Sequence, residues 1–282
     1  MNSASTSADT RSPAPSLAAL LSRGRPLVMG ILNVTPDSFS DGGKFVTPAT
    51  AVAHARQMAS DGADIIDIGA ESTRPYTGMR PVTADDERDR LRPVLPSLAS
   101  LGVPVSIDTM KASVAEWALS KGATIVNDVW GLQRDPDMAR VVAEHGVPVI
   151  AMHNRDKPDA PDIMVSICEF FERTLDIADR AGIRRDNIVL DPGIGFGMTP
   201  EQCLIVFARM AELRKLGLPL LVGASRKRFI DKGSPAPPDR RIGGSIAVHV
   251  LAVQAGAAIV RVHDVAETVQ ALAMTTAIGA AR

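Results

Sequence analysis

Eight apolar segments of the chain end in side chains that can bind or react: Asn33, Glu71 with Thr73 and Arg74, Asp108, Asn127, Met152 with His153, Asp191, Ser225 with Lys227, and Arg261 with His263. A buried carboxylate accepts two hydrogen bonds from a guanidine-like edge, and a carboxamide both accepts and donates. Asp108, Asn127 and Asp191, each closing a buried run, form such a set. Only Val262 separates Arg261 from His263, so in a strand the two point to one side. Converging with Lys227 and Arg74, they describe an anion site. Any one of these residues alone would read as a helix cap or a solvated charge. All eight ends carry such residues, whereas the opposite ends offer mostly Gly, Pro and Ala, and capping does not explain that asymmetry.

The elements that must position these residues follow one local rule. Seven times a helical stretch closes in glycine (Gly62, Gly102, Gly122, Gly146, Gly182, Gly217, Gly256) and a Val/Ile/Leu-rich run begins at once. Glycine closes helices because it turns left-handed without a Cβ penalty. Continuous apolar runs mark strands buried on both faces of a parallel sheet. With the first run, 27-LVMGILNV-34, there are eight strands, each followed by helical sequence, and this pattern predicts a single (β/α)8 barrel. Thr47-Pro48 and the capping box 199-TPEQ-202 mark two of the helix starts. No GxGxxG follows the first strand, which disfavours a dinucleotide-binding sheet. In a barrel of this kind the chemistry sits at the carboxyl ends of the strands, where the polar residues are.

Composition removes other classes. Among 282 residues, 31 Lys+Arg against 32 Asp+Glu leave a formal charge of −1, which is not the footprint of a nucleic-acid binder. The most apolar stretch, 246–260, is broken by His249 and Gln254 and is too short to span a bilayer. Residues 1–16 are rich in Ser, Thr, Ala and Pro without an apolar core; a disordered tail is expected there, ahead of one domain over 17–282. Cys168 and Cys203 lack metal-ligand spacing and read as thiols of a reducing, cytoplasmic compartment. His54, His145 and His249 fall on helical segments and read as surface or core residues.

The strings 29-MGILNVTPDSFSDGG-43, 66-IDIGAESTRP-75, 106-SIDT-109, 127-ND-128, 190-LDPGIGFG-197, 224-ASRK-227 and 261-RVHDV-265 resemble the dihydropteroate synthase family, in the family's order from Met29 to Val265. The resemblance implies a barrel, usually a homodimer, and a step of folate synthesis. In that step 4-aminobenzoate is joined to 6-hydroxymethyl-7,8-dihydropterin diphosphate, pyrophosphate leaves, and magnesium assists. By resemblance Asn33 is the magnesium ligand, and Lys227, Arg74 and Asp37 act at the reacting groups. Thr73, Asp108, Asn127, Met152, Asp191, Phe196, Ser225, Lys227, Arg261 and His263 hold substrate. No catalytic base is needed, because the aromatic amine is mostly unprotonated at neutral pH. The loop 34–45, with Pro36, Gly42-Gly43, Phe39 and Phe45, is expected to close over substrate. Three positions depart from the family pattern: Met198 stands where lysine is usual, Ala70 where glycine is common, and Arg228 where small residues are usual. The rival readings are a non-catalytic pterin-binding paralogue and, further off, a pterin-dependent methyltransferase.

Overall fold

A computed structural model describes residues 15–35, 47–71 and 82–281 of the chain. Its eight strands are β1 (Leu27–Asn33), β2 (Ile65–Gly69), β3 (Val105–Asp108), β4 (Ile125–Asp128), β5 (Val149–Met152), β6 (Ile188–Asp191), β7 (Leu221–Val222) and β8 (Ile259–Val262). All pair in parallel in the order β6-β5-β4-β3-β2-β1-β8-β7. A parallel bridge between Leu190 and Leu220 joins the two ends into the predicted (β/α)8 barrel.

The crossovers are α2 (Pro48–Ser60), α3 (Ala84–Leu91) with the short α4 (Leu95–Leu98), α5 (Ala112–Ser120), α6 (Met138–His145), α7 (Ile163–Ala181), α8 (Pro200–Arg209), α9 (Ile242–Gln254) and the closing α10 (Val265–Ala280). Thr47 caps α2 and Thr199-Gln202 closes a capping box on α8, as their sequences predict. All seven helix-closing glycines have positive φ, from 62° to 108°. None of the helices among the described residues is long and apolar enough to cross a membrane.

Strand alternation divides the core in two. Outward residues such as Val28, Ile66, Ile107 and Val260 pack under the helices. Inward residues Leu27, Met29, Ile65, Ile125, Ile150, Val189, Leu221 and Ile259 fill the barrel's lower half. The same inner cluster takes in Leu17 and Leu20 of a helix that precedes the barrel, α1 (Leu17–Leu21), capped by Ser16. This helix seals the amino-terminal end of the barrel. It is fastened by Arg23 and a bidentate Arg25, both on the buried Asp64, which also accepts the Val28 N–H at 3.0 Å. The tail expected over 1–16 lies outside the described residues except for Pro15 and Ser16. Among the described residues, hydrocarbon fills the barrel's lower half, which leaves the strands' carboxyl ends for a site.

Candidate active site

Above the apolar layers, the inward positions turn polar: Asp67 on β2, Ser106 and Asp108 on β3, Asn127 on β4, Asp191 on β6 and Arg261 on β8, with Met152 on β5 among them. Register brings them level, since Asp67 pairs with Ser106, Asp108 with Asn127, and Met152 with Asp191. Arg261 reaches across the barrel. Its Nε donates to Asp67 Oδ2 at 2.6 Å and an Nη to Asp108 Oδ2 at 2.6 Å. Asn127 Nδ2 donates to the same Asp67 oxygen at 3.1 Å. Among the described residues, Asp67 Oδ1, Ser106 Oγ and Asp108 Oδ1 are buried without a partner. A buried acceptor left bare is unfavourable by about 1–3 kcal/mol, so three on one inner wall form a receptor for hydrogen-bond donors. Gly69 lies close beside them: a Cβ there would meet the Asp108 Cβ at 3.3 Å, a tight contact.

Electrostatics match that geometry. Burial pushes the Asp108 carboxyl up to about 7, against the pull of Arg261 and with help from the Asp67 charge. Burial lifts Asp191 to about 6, opposed first by Lys227 and then by the Gly193 N–H, which Asp191 Oδ1 accepts at 2.8 Å. Burial works against the Arg261 charge, yet Asp67 and Asp108 outweigh it and raise the guanidinium above its ordinary value. Asp128 is pushed up to about 6 by burial, but it faces outward and accepts the Trp130 and Leu132 N–H groups, holding the turn after β4.

On the opposite wall, the glycine-rich loop after β6 lies close to the β5 end. A Cβ on Gly193 (φ 69°) would fall 1.9 Å from the His153 oxygen, and on Gly197 (φ 53°) 2.4 Å from the Arg155 oxygen, so only glycine fits. This brings Phe196 under Lys227, whose Nζ lies 4.5 Å from the ring centre and donates to the Ile194 oxygen at 2.5 Å. Ser225 Oγ lies 2.9 Å from His263 Nδ1 and accepts the His263 N–H at 3.2 Å. Asn33 is exposed at the end of β1. His153 is turned away, buried edge-on against Phe170 at 5.1 Å.

The described residues therefore bring together Asp108, Asn127, Asp191, Arg261, Met152, Phe196, Ser225, Lys227 and His263 at the barrel mouth, with Asn33 on its rim. Asp37, Thr73 and Arg74, and the loop 34–45 beyond Thr35, lie outside them. Asp67, at the centre of the constellation, escaped the sequence reading. A carboxylate in the middle of a strand buried on both faces was the available signal. Of the three departures, Met198 packs against the core, Ala70 is fully buried with its oxygen on Arg90, and Arg228 opens a short 3-10 turn past Lys227.

The pterin binding enzyme family matches residues 29–263. The dihydropteroate synthase of Bacillus subtilis is 47% identical over 261 residues, covering 92% of this chain and 91% of its own. A Clostridium difficile dihydropteroate synthase crystallised with pteroic acid superposes with TM-score 0.86 at 50% identity, covering 90% of this chain and 97% of that one. The Xanthomonas albilineans dihydropteroate synthase in complex with 7,8-dihydropteroate gives 0.83 at 40% identity, covering 91% and 95%. A likeness of this extent, over a barrel mouth with this set of residues, is shared descent: the chain belongs to the pterin-binding enzymes and, among them, to the dihydropteroate synthases.

Proposed function

We propose that the chain joins the amine of 4-aminobenzoate to the methylene of 6-hydroxymethyl-7,8-dihydropterin diphosphate, giving 7,8-dihydropteroate and pyrophosphate. The observation that carries the reading is the row of unpartnered oxygens on Asp67, Ser106 and Asp108, facing a mouth that also holds Asp191 and Lys227. The guanidine-like edge of a pterin supplies the donors those oxygens lack, and Asn127 can both accept and donate beside them. Arg261, fixed on two carboxylates, keeps their Oδ2 atoms occupied and leaves Oδ1 for the ligand. Lys227, over Phe196, meets the pterin and the incoming aminobenzoate, while Ser225, His263, Thr73 and Arg74 take the diphosphate. The carbon–oxygen bond to the diphosphate breaks with its electron pair leaving on oxygen. The amine nitrogen bonds to the methylene and then loses a proton. Positive charge at the leaving group and exclusion of water by the loop over 34–45 are the chain's contributions, and no base is required.

The exposed amide of Asn33, without a side-chain partner among the described residues, fits magnesium, a hard cation that takes oxygen donors and few protein ligands. Magnesium, when bound, would neutralise charge on the diphosphate, with Asp37 assisting Asn33. A homodimer is part of the same reading. Leu251, Met274 and Ile278 are 56–58% exposed on α9 and α10, which pack together and present the apolar face that such pairs bury. So is a cytoplasmic setting, in keeping with the free thiols of Cys168 and Cys203.

Pyrophosphate release with both substrates, with and without magnesium, tests the activity. Tight pterin binding without release would favour the non-catalytic alternative. Asn33→Ala is expected to raise the magnesium concentration for half-maximal rate about tenfold. Sedimentation showing only a 29.8 kDa species at micromolar concentration would remove the dimer.

A further inference from the structure

The loop that carries Ser225 and Lys227 is held from behind by one face of α9. The Ala224 N–H donates to His249 Nε2 at 3.2 Å, and the Arg226 N–H donates to Ser245 Oγ at 2.9 Å. Ser245 and His249 lie four residues apart, one above the other on the helix, and are 3% and 1% exposed. Arg241, the residue preceding the helix, donates to the Arg226 oxygen at 2.9 Å and to Asp231. Between these fixings the chain takes a left-handed turn at Arg226 (φ 58°), whose guanidinium pairs with Asp264, and Lys227 follows with its N–H on the Ala224 oxygen.

We infer that His249 is a positioning residue for the synthase reaction: its Nε2 anchors the Ala224 amide and so sets the loop that presents Ser225 and Lys227 to substrate. A packing role alone does not account for an imidazole here. Nδ1 is buried with no partner among the described residues, a cost that packing alone would not call for; a leucine would fill the space but leave the Ala224 N–H without an acceptor. To accept from Ala224, the ring must be neutral with its proton on Nδ1. Burial and then the Lys227 charge hold its pKa down at about 4, against the Asp264 carboxylate, so the Nε2 lone pair is available throughout the working range.

The inference rests on the proposed activity and is tested on the full chain with both substrates and magnesium. His249→Leu is expected to lower kcat about tenfold and raise the aminobenzoate KM. The KM for the pterin diphosphate, which meets Lys227 and Ser225 of the same loop, should rise as well, and His249→Gln, whose oxygen reaches the Nε2 position, should restore kcat to within about threefold. Kinetics of His249→Leu indistinguishable from the unmodified chain, or an equal loss in His249→Gln, would overturn it. Should His249→Leu not fold, His249→Gln is compared with His249→Asn, whose oxygen falls short; equal activity of the two overturns the inference. Amide exchange at Ala224 gives a readout without turnover. It is expected to be slow in the unmodified chain and in His249→Gln, and fast in His249→Asn. If the unmodified chain releases no pyrophosphate, the activity reading fails, while the exchange pattern still reports on the anchor.

Discussion

Asp67 and Arg261 stand 194 residues apart in the chain and 2.6 Å apart in the barrel, with Asp67 fully buried. The pair joins β2 to β8 across β1 and lies on the side of the barrel from which ligand donors must be met. Because Asn127 shares the same Asp67 oxygen, one carboxylate orients both the cation and the amide of the site.

Asp67→Asn is therefore expected to disable the site from the centre. An amide in its place turns a donor or a neutral oxygen toward Arg261 and strands part of a buried charge, a disruption of about 3 kcal/mol or more. Pterin affinity by calorimetric titration should fall at least tenfold, about 1.4 kcal/mol, with the barrel still folded. Affinity unchanged in this variant would show that the pair serves the fold alone.

The raised carboxyls fix the pH dependence of binding. Asp108 at about 7 and Asp191 at about 6 hold protons more tightly in the folded chain than an ordinary aspartate does. Their contribution to the stability of the ligand-free fold is thus complete below about pH 4 and is lost as pH rises through 6 to 7. A pterin that donates to the ionised carboxylates favours the deprotonated forms, so binding at pH 6 should release protons, and the release should shrink toward zero by pH 8. Titration in two buffers of different ionisation heat measures it. Net proton uptake at pH 6 contradicts the assignment.

Leu20→Ala probes the seal at the other end. Leu20 is 1% exposed among the inner barrel residues, and truncation should lower stability by about 2–5 kcal/mol in urea unfolding. Pterin affinity of the folded protein should be unaffected, because the ligand enters at the opposite end. A matched loss of affinity would mean that α1 reaches the site through the barrel layers.

Met198 marks the departure that touches the rim. It lies between Gly197 and the Thr199 cap of α8 with its side chain packed against the core. Met198→Lys should change kcat/KM by less than about tenfold, since a rim charge is worth about 1 kcal/mol or less. Activity found only in the lysine variant would favour a non-catalytic protein.

The barrel was legible because its signals are local: a glycine that closes each helix and an apolar run that follows can be read within a dozen residues. The inward set Asp108, Asn127 and Asp191 was legible for the same reason, each standing at a strand end. Asp67 was not, because its meaning comes from Arg261 on β8, one strand beyond β1 and 194 residues along the chain, and no local spacing encodes that approach. The sealing role of α1 was equally hidden: Leu17 and Leu20 look like any short amphipathic turn until the open end of a barrel is placed above them. His249 read as an ordinary surface or core histidine because its partner is a backbone amide, which carries no residue signature.

The closure between β6 and β7 has a consequence for how the protein moves. Seven of the eight strand junctions are ladders, but this one is a single bridge with the Leu190 N–H on the Pro219 oxygen at 2.9 Å, and β7 itself is only two residues long. The cylinder thus has a seam, and it is along the seam that its backbone should breathe first. Asp191 ends the strand on one side of that seam, and Lys227 follows the strand on the other. A ligand gripped by both works as a clasp, and the amides it shields most should be those of the wall it fastens.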